Sequence, residues 1–111
     1  MPTPIRNNAL IILSTFPDVD SAKTLARHLV SQGLAACCNI VPAVTSIYSW
    51  NAELQEDTEC LVVIKTSIAR SEAIQNTISR EHPYDLPEIV CLPITDGSER
   101  YLQWIAQQTQ Q

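Results

Sequence analysis

The chain is poor in glycine: Gly33 and Gly97 are the only two in 111 residues. That excludes a phosphate-cradling loop, in which several closely spaced glycines let the backbone wrap an anion. Cationic side chains are also scarce. Seven Lys and Arg stand against twelve Asp and Glu, a net charge of −5. Recognition of a nucleic-acid backbone needs clustered cations, so nucleic acid is excluded as a partner. Histidine is scarce too, His28 and His82 being the only two. The cysteines, Cys37, Cys38, Cys60 and Cys91, form no CxxC pair, which rules out zinc-finger spacing and reads as free thiols in a reducing compartment. No apolar run approaches the length of a bilayer span, Ala9–Phe16 being typical. The N-terminus lacks a signal-peptide pattern. A cytoplasmic protein that does not enter the membrane is expected.

What is present is an orderly alternation of periods. Asn8–Phe16 is apolar and reads as a buried strand. Pro17-Asp18 opens a helix capped by Asp18 or Asp20, with Ala22, Leu25, Ala26, Leu29 and Val30 on one face and Gly33 as its stop. Leu34–Trp50 is extended with a break at Pro42, Asn51-Ala52 turns, and Glu53–Ser67 returns. Ala69–Glu81 is a second helix with Ile74 and Ile78 inward, Glu88–Ile94 a fourth strand, and Gly97–Gln107 a short third helix. The order βαββαβ predicts an α+β, ferredoxin-like antiparallel sheet with an extra C-terminal helix. It forms one domain over 1–111, with 1–7 and 107–111 as loose termini.

The strands are apolar on both faces. In Cys60–Thr66, Cys60, Val62 and Ile64 alternate with Leu61, Val63 and Lys65. A solvated face should be polar at every second residue. The two helices between strands cover one face only, so the other must be sheltered by self-association. An obligate closed homo-oligomer is expected.

Chemistry concentrates in His82-Pro83-Tyr84-Asp85-Leu86-Pro87-Glu88, where two prolines stiffen a loop carrying an imidazole, a phenol and two carboxylates. His82 is the candidate metal ligand, since imidazole suits divalent copper and zinc; it also fits as a cap on the second helix. Tyr84 and Glu88 fit either a ligand pocket or hydrogen bonds within the loop. Glu59 and Lys65 are charges on a face that must be buried, so they pair across a subunit boundary or point into a pocket. Tyr48 and Trp50 lie near a strand tip, as interface anchors or as stacking groups. Cys37 and Cys38 are adjacent on a strand and point to opposite faces, so they cannot chelate one ion together. Cys37 either packs or faces a pocket. His28 reads as packing or solvated. No nucleophile–base constellation is visible, so the chain reads as a non-enzyme.

Four blocks in order, Leu34–Ile40 (LAACCNI), Ser46–Trp50 (SIYSW), Val63–Thr66 (VIKT) and His82–Ile89 (HPYDLPEI), resemble the CutA family of divalent-ion tolerance proteins, over about Leu10 to Ile105. The resemblance implies a homotrimer of ferredoxin-like subunits, similar in architecture to the PII signal proteins, in a cytoplasmic or organellar setting. It implies association with copper or another divalent cation and inter-subunit clefts lined at Cys37, Tyr48, Trp50, Lys65, His82, Tyr84 and Glu88. Ser14 and Glu81 stand where some members carry Cys and His, so only His82 of that copper set is present. Weak metal or small-ligand binding in a trimer is the first reading. A PII-like module taking an anionic metabolite and a protein partner is the second.

Overall fold

The period changes from two to 3.6 at Pro17, and there the chain turns. In the computed structural model, which describes residues 7–110, β1 (Ala9–Phe16) gives way to α1 (Val19–Ser31). Asp18 is the N-cap; its Oδ1 accepts the Ser21 N–H at 2.7 Å, and that bond holds the carboxyl below its ordinary pKa. At the other end Gly33 takes φ +69°. Leu34 N–H then reaches Leu29 O at 2.9 Å and Gly33 N–H reaches Val30 O at 3.1 Å, closing a Schellman motif. Ala22, Leu25, Ala26 and Leu29 are buried as the spacing requires, whereas Val30, at the edge of the stripe, is 43% exposed.

β2 (Cys37–Trp50) and β3 (Glu53–Ser67) form the long hairpin, followed by a 3-10 turn (Ile68–Arg70), α2 (Ser71–Glu81), β4 (Val90–Pro93) and α3 (Glu99–Gln108). The sheet is antiparallel in the order β2-β3-β1-β4. α1 and α2 cover one face, over Leu10, Ile12, Phe16, Val62 and Ile64. α3 covers one end of the other face, where Ile105 packs with Ala9 and Ala36.

Three expectations need correction. β4 starts at Val90, not Glu88, and is shorter than the sequence suggests. Extending the β1–β4 register by two residues would bring Glu88 opposite Thr15, but the Thr15 carbonyl already accepts from His82 Nε2. α3 begins two residues late because Ser98 is its N-cap. The C-terminus is not a loose tail: Thr109 is 2% exposed, bonds to Ser67 Oγ at 2.9 Å, and is clasped by Arg70 Nε donating to its carbonyl at 2.9 Å. Asn7 is likewise tied, through its amide to Ile94 O at 3.0 Å. The rest of the expected N-terminal arm, and Gln111, lie outside the described residues.

The second face is apolar, as the alternation requires. Ile11, Leu13, Leu61 and Val63 line it half-buried, beside Val90 at 44% and Leu92 at 45% exposure. Beyond an irregularity between Val41 and Val44, β2 and β3 leave the sheet as a two-stranded ribbon. The molecule reaches 51 Å in its longest dimension, and Ile47 and Leu54 on the ribbon are 63% and 80% exposed. The ribbon turns through Asn51 (φ 51°) and Ala52 (φ 64°), a pair of left-handed residues suited to a two-residue hairpin.

Two of these local misfits bear on stability. Alanine in the left-handed region costs roughly 1 kcal/mol relative to glycine, so Ala52→Gly should raise the unfolding free energy in urea by that amount without changing the slope. Ser14 is wholly buried and its Oγ has no hydrogen-bond partner among the described residues. Ser14→Ala should therefore stabilise by about 1 kcal/mol, removing an unsatisfied hydroxyl at little cost in volume.

Candidate functional site

His82 ends α2. Its N–H caps Ile78 O at 2.8 Å, and its ψ of 138° is the extended geometry that a following proline enforces. The ring folds under the loop and stacks on Phe16 with centroids 4.2 Å apart. Nδ1 accepts the Tyr84 N–H at 3.0 Å, and Nε2 lies 2.7 Å from Thr15 O. A backbone N–H can only donate and a carbonyl can only accept, so Nε2 carries the proton. Both ring nitrogens are committed, and a metal ion could coordinate only by displacing one bond. The residue is 9% exposed.

Tyr84 follows, 4.8 Å from the imidazole centroid. Its Oη donates to Glu59 Oε2 at 2.8 Å, tying the proline loop to β3. Burial, and then this bond, push the Tyr84 phenol well above its ordinary pKa. On the ribbon Tyr48 Oη donates to Asp57, and that bond is the chief reason its pKa is raised too. Both phenols stay protonated and pinned.

The ribbon aromatics share a face with these carboxylates because of one residue. Cys37, Asn39 and Val41 pair with Lys65, Val63 and Leu61, so odd positions of β2 share the open face with odd positions of β3. After the irregularity Val44 pairs with Glu59, Ser46 with Asp57 and Tyr48 with Gln55, so even positions now do. The extra residue in β2 is a β-bulge, and it moves Tyr48 and Trp50 to the side of Glu59 and Asp57. The ribbon and the proline loop enclose a recess of about 860 Å³, within the range of small-ligand sites. Tyr48, Trp50, Glu59, Tyr84 and Glu88 line it. A second recess of about 650 Å³ lies between β1 and α3, with Asp96 and Glu99 at its wall.

Cys37 and Lys65 stand elsewhere. They pair with each other on the open face, six residues along β3 from Glu59 and hence about 20 Å away. Lys65 Nζ lies 5.6 Å from the Tyr101 ring centroid on α3. Cys38 faces the helix-covered core beside Ile64, where burial pushes its thiol up to about 12. His28 pairs with Glu81 at 2.9 Å. Among the described residues, no three His, Cys, Asp or Glu side chains are grouped to hold one metal ion, and no helix is long and apolar enough to cross a membrane. Sequence reasoning marked Glu59 as a charge in need of a partner but missed Tyr84 as that partner, because the bond joins positions 25 apart.

The profile of the CutA1 divalent ion tolerance protein family matches residues 10–108. The chain belongs to the CutA1 family. It is 43% identical over 99 residues to the divalent-cation tolerance protein CutA of Thermus thermophilus, covering 89% of this chain and 96% of that one. Identity to the chloroplastic CutA protein of Arabidopsis thaliana is 40%, over 91% of this chain but 56% of the longer plant protein. A solved Thermus thermophilus CutA1 structure superposes with a TM-score of 0.89 at 42% identity, covering 92% of this chain and 99% of that one. The CutA1 fold expected from the four sequence blocks is therefore the fold observed.

His82 is a packing and hydrogen-bonding hub, so its removal should be costly. His82→Ala should lose about 2–4 kcal/mol in urea unfolding, from the cavity and two unpaired groups. A loss under about 0.5 kcal/mol, the range of ordinary surface substitutions, would show that the hub is dispensable.

Proposed function

We propose that this CutA1-family chain serves divalent-cation tolerance in the cytoplasm as a non-catalytic homotrimer, with small-ligand sites in the clefts between copies. The observation that carries this reading is the open sheet face, where Ile11, Leu13, Leu61 and Val63 are only half covered and Val90 and Leu92 are exposed. Covering that face with neighbouring copies removes apolar area from water, worth about 25 cal/mol per Å². Cys37 and Lys65 lie on the same face and so meet the neighbour. The recess beside Tyr84 opens at the margin and forms the ligand side of the cleft.

Copper and other divalent cations bind weakly in this reading. His82 becomes a ligand only when the Tyr84 N–H or the Thr15 carbonyl is given up, and at −5 per chain three copies attract cations diffusely at −15. Both histidines are occupied by structural bonds, which supports a binding role rather than acid–base catalysis. The name carried by the Thermus relative supports the assignment to tolerance. Among the described residues the recess wall carries the carboxylates of Glu59, Asp85 and Glu88 and no Lys or Arg, which favours a cationic guest over an anionic metabolite of the PII kind.

Sedimentation equilibrium tests the assembly: the expected mass is three times the 12.3 kDa chain, and Leu13→Asp should dissociate it. A folded wild-type monomer at micromolar concentration overturns the reading. Copper calorimetry tests the weak association, with affinity expected to fall steeply between low and physiological salt. A tight, salt-independent isotherm abolished by His82→Ala would instead make His82 a resident ligand.

A further inference from the structure

Glu59 has no counter-charge among the described residues. It is only 8% exposed, its hydrogen-bond donor among those residues is the neutral Tyr84 phenol, and the salt bridge found among them lies elsewhere, between His28 and Glu81. A carboxylate held that far from water without a cation is costly. The recess that it faces is lined by three aromatic rings, Tyr84 36%, Tyr48 41% and Trp50 49% exposed, together with the proline loop and its carboxylates Asp85 and Glu88.

We infer that the recess between the ribbon and the proline loop is a site for a small organic ammonium ion, held by the Glu59 carboxylate against the faces of Trp50, Tyr48 and Tyr84. This rests on the proposed cleft as the ligand site and names the chemistry of its guest. Aromatic faces attract diffuse cations that carry their charge on a methylated or alkylated nitrogen, and do so most strongly when the site is partly dry. A hard divalent ion is a poor match. It wants several oxygen ligands together and sheds its water reluctantly, whereas the carboxylates here are not grouped for one ion among the described residues. An anion is repelled by Glu59, Asp85 and Glu88. The phenols serve the same end: each is fixed as a donor to a carboxylate, which holds its ring in the recess lining. Their raised pKa values keep them neutral in the working range of pH, so the rings do not ionise beside Glu59.

Choline chloride and tetramethylammonium chloride, titrated calorimetrically into the full chain against sodium chloride of equal ionic strength, provide the test. Saturable binding by both is expected, together with a rise in melting temperature that sodium chloride does not produce. Glu59→Gln preserves an acceptor for Tyr84 and should weaken binding about tenfold or more. Trp50→Leu, at an exposed ribbon position, should weaken it several-fold without lowering stability. Choline that acts no differently from sodium chloride, or that binds Glu59→Gln as tightly as wild type, overturns the inference. So does a result in which choline is inert while Lys65→Met and Glu59→Gln weaken the assembly equally, since the counter-charge would then be a lysine supplied by a neighbouring copy. Sedimentation of the same samples separates the two ideas. A trimer indifferent to choline removes the ammonium site and leaves the trimeric reading; a monomer that binds choline does the reverse.

Discussion

The imidazole of His82 ties together three segments that local sequence preference would leave apart. It stacks on Phe16 at the end of β1, bonds to the Thr15 carbonyl, and receives the Tyr84 N–H from the loop beyond Pro83. The consequences run in two directions. Because Thr15 O is occupied, β4 cannot extend along β1 past Val90, so the stretch from Pro83 to Ile89 is left as a loop and does not join the sheet. Because Tyr84 N–H is held, the phenol can only aim across the gap at Glu59. The recess exists because that loop is both excluded from the sheet and held above it. Pro83 and Pro87 lower the entropy lost in doing so.

The sheet imposes the second constraint. A ferredoxin-like topology places α1 and α2 on one face, and α3 is too short to cover the other. It shelters Ala9 and Ala36 at one end and brings Tyr101 to Lys65, which leaves the middle rows open. Polar residues there would have given an ordinary half-solvated sheet. Leucine, valine and isoleucine at Ile11, Leu13, Leu61, Val63, Val90 and Leu92 leave an apolar face half-covered or exposed instead. The ribbon, which carries Ile47 and Leu54 into solvent, extends the same unpartnered character beyond the sheet.

Much of this was legible from periodicity, because it depends on near neighbours. β3 runs over Glu53–Ser67 as its alternation predicts, and the α1 stripe and its glycine stop need only spacing and one special φ. What sequence reasoning missed depends on contacts that no local pattern encodes. β4 is shortened by the side chain that ends α2. Thr109 and Gln110 look like a polar tail, yet Arg70 draws both of their carbonyls in. The site was legible as residue types but not as an arrangement. Tyr84, Glu88, Tyr48 and Trp50 converge on one recess with His82 bracing its loop from beneath, while Cys37 and Lys65, equally prominent in the sequence, pair with each other well away from it. Vicinal Cys37 and Cys38 do divide between the faces, as strand geometry demands.

The bulge at Pro42-Ala43 shows how one residue can decide the chemistry of a surface. Strand side chains alternate with period two, so inserting a single residue in β2 exchanges the faces of everything beyond it relative to β3. Without it Ile47 and Ser49 would accompany Glu59 and Asp57, and the carboxylates would face an aliphatic and a hydroxyl. With it they face Tyr48 and Trp50. Cys60 Sγ lies 3.1 Å from Pro42 O, so the displaced carbonyl keeps a partner, and proline itself needs no ladder bond for its nitrogen. Close by, β1 ends at Phe16 opposite Cys60, and beyond that point β2 and β3 pair only with each other and run on as a ribbon. The meeting of acidic and aromatic side chains on one face therefore follows from a break in register between Val41 and Val44, and the character of the recess is set there as much as in the proline loop that roofs it.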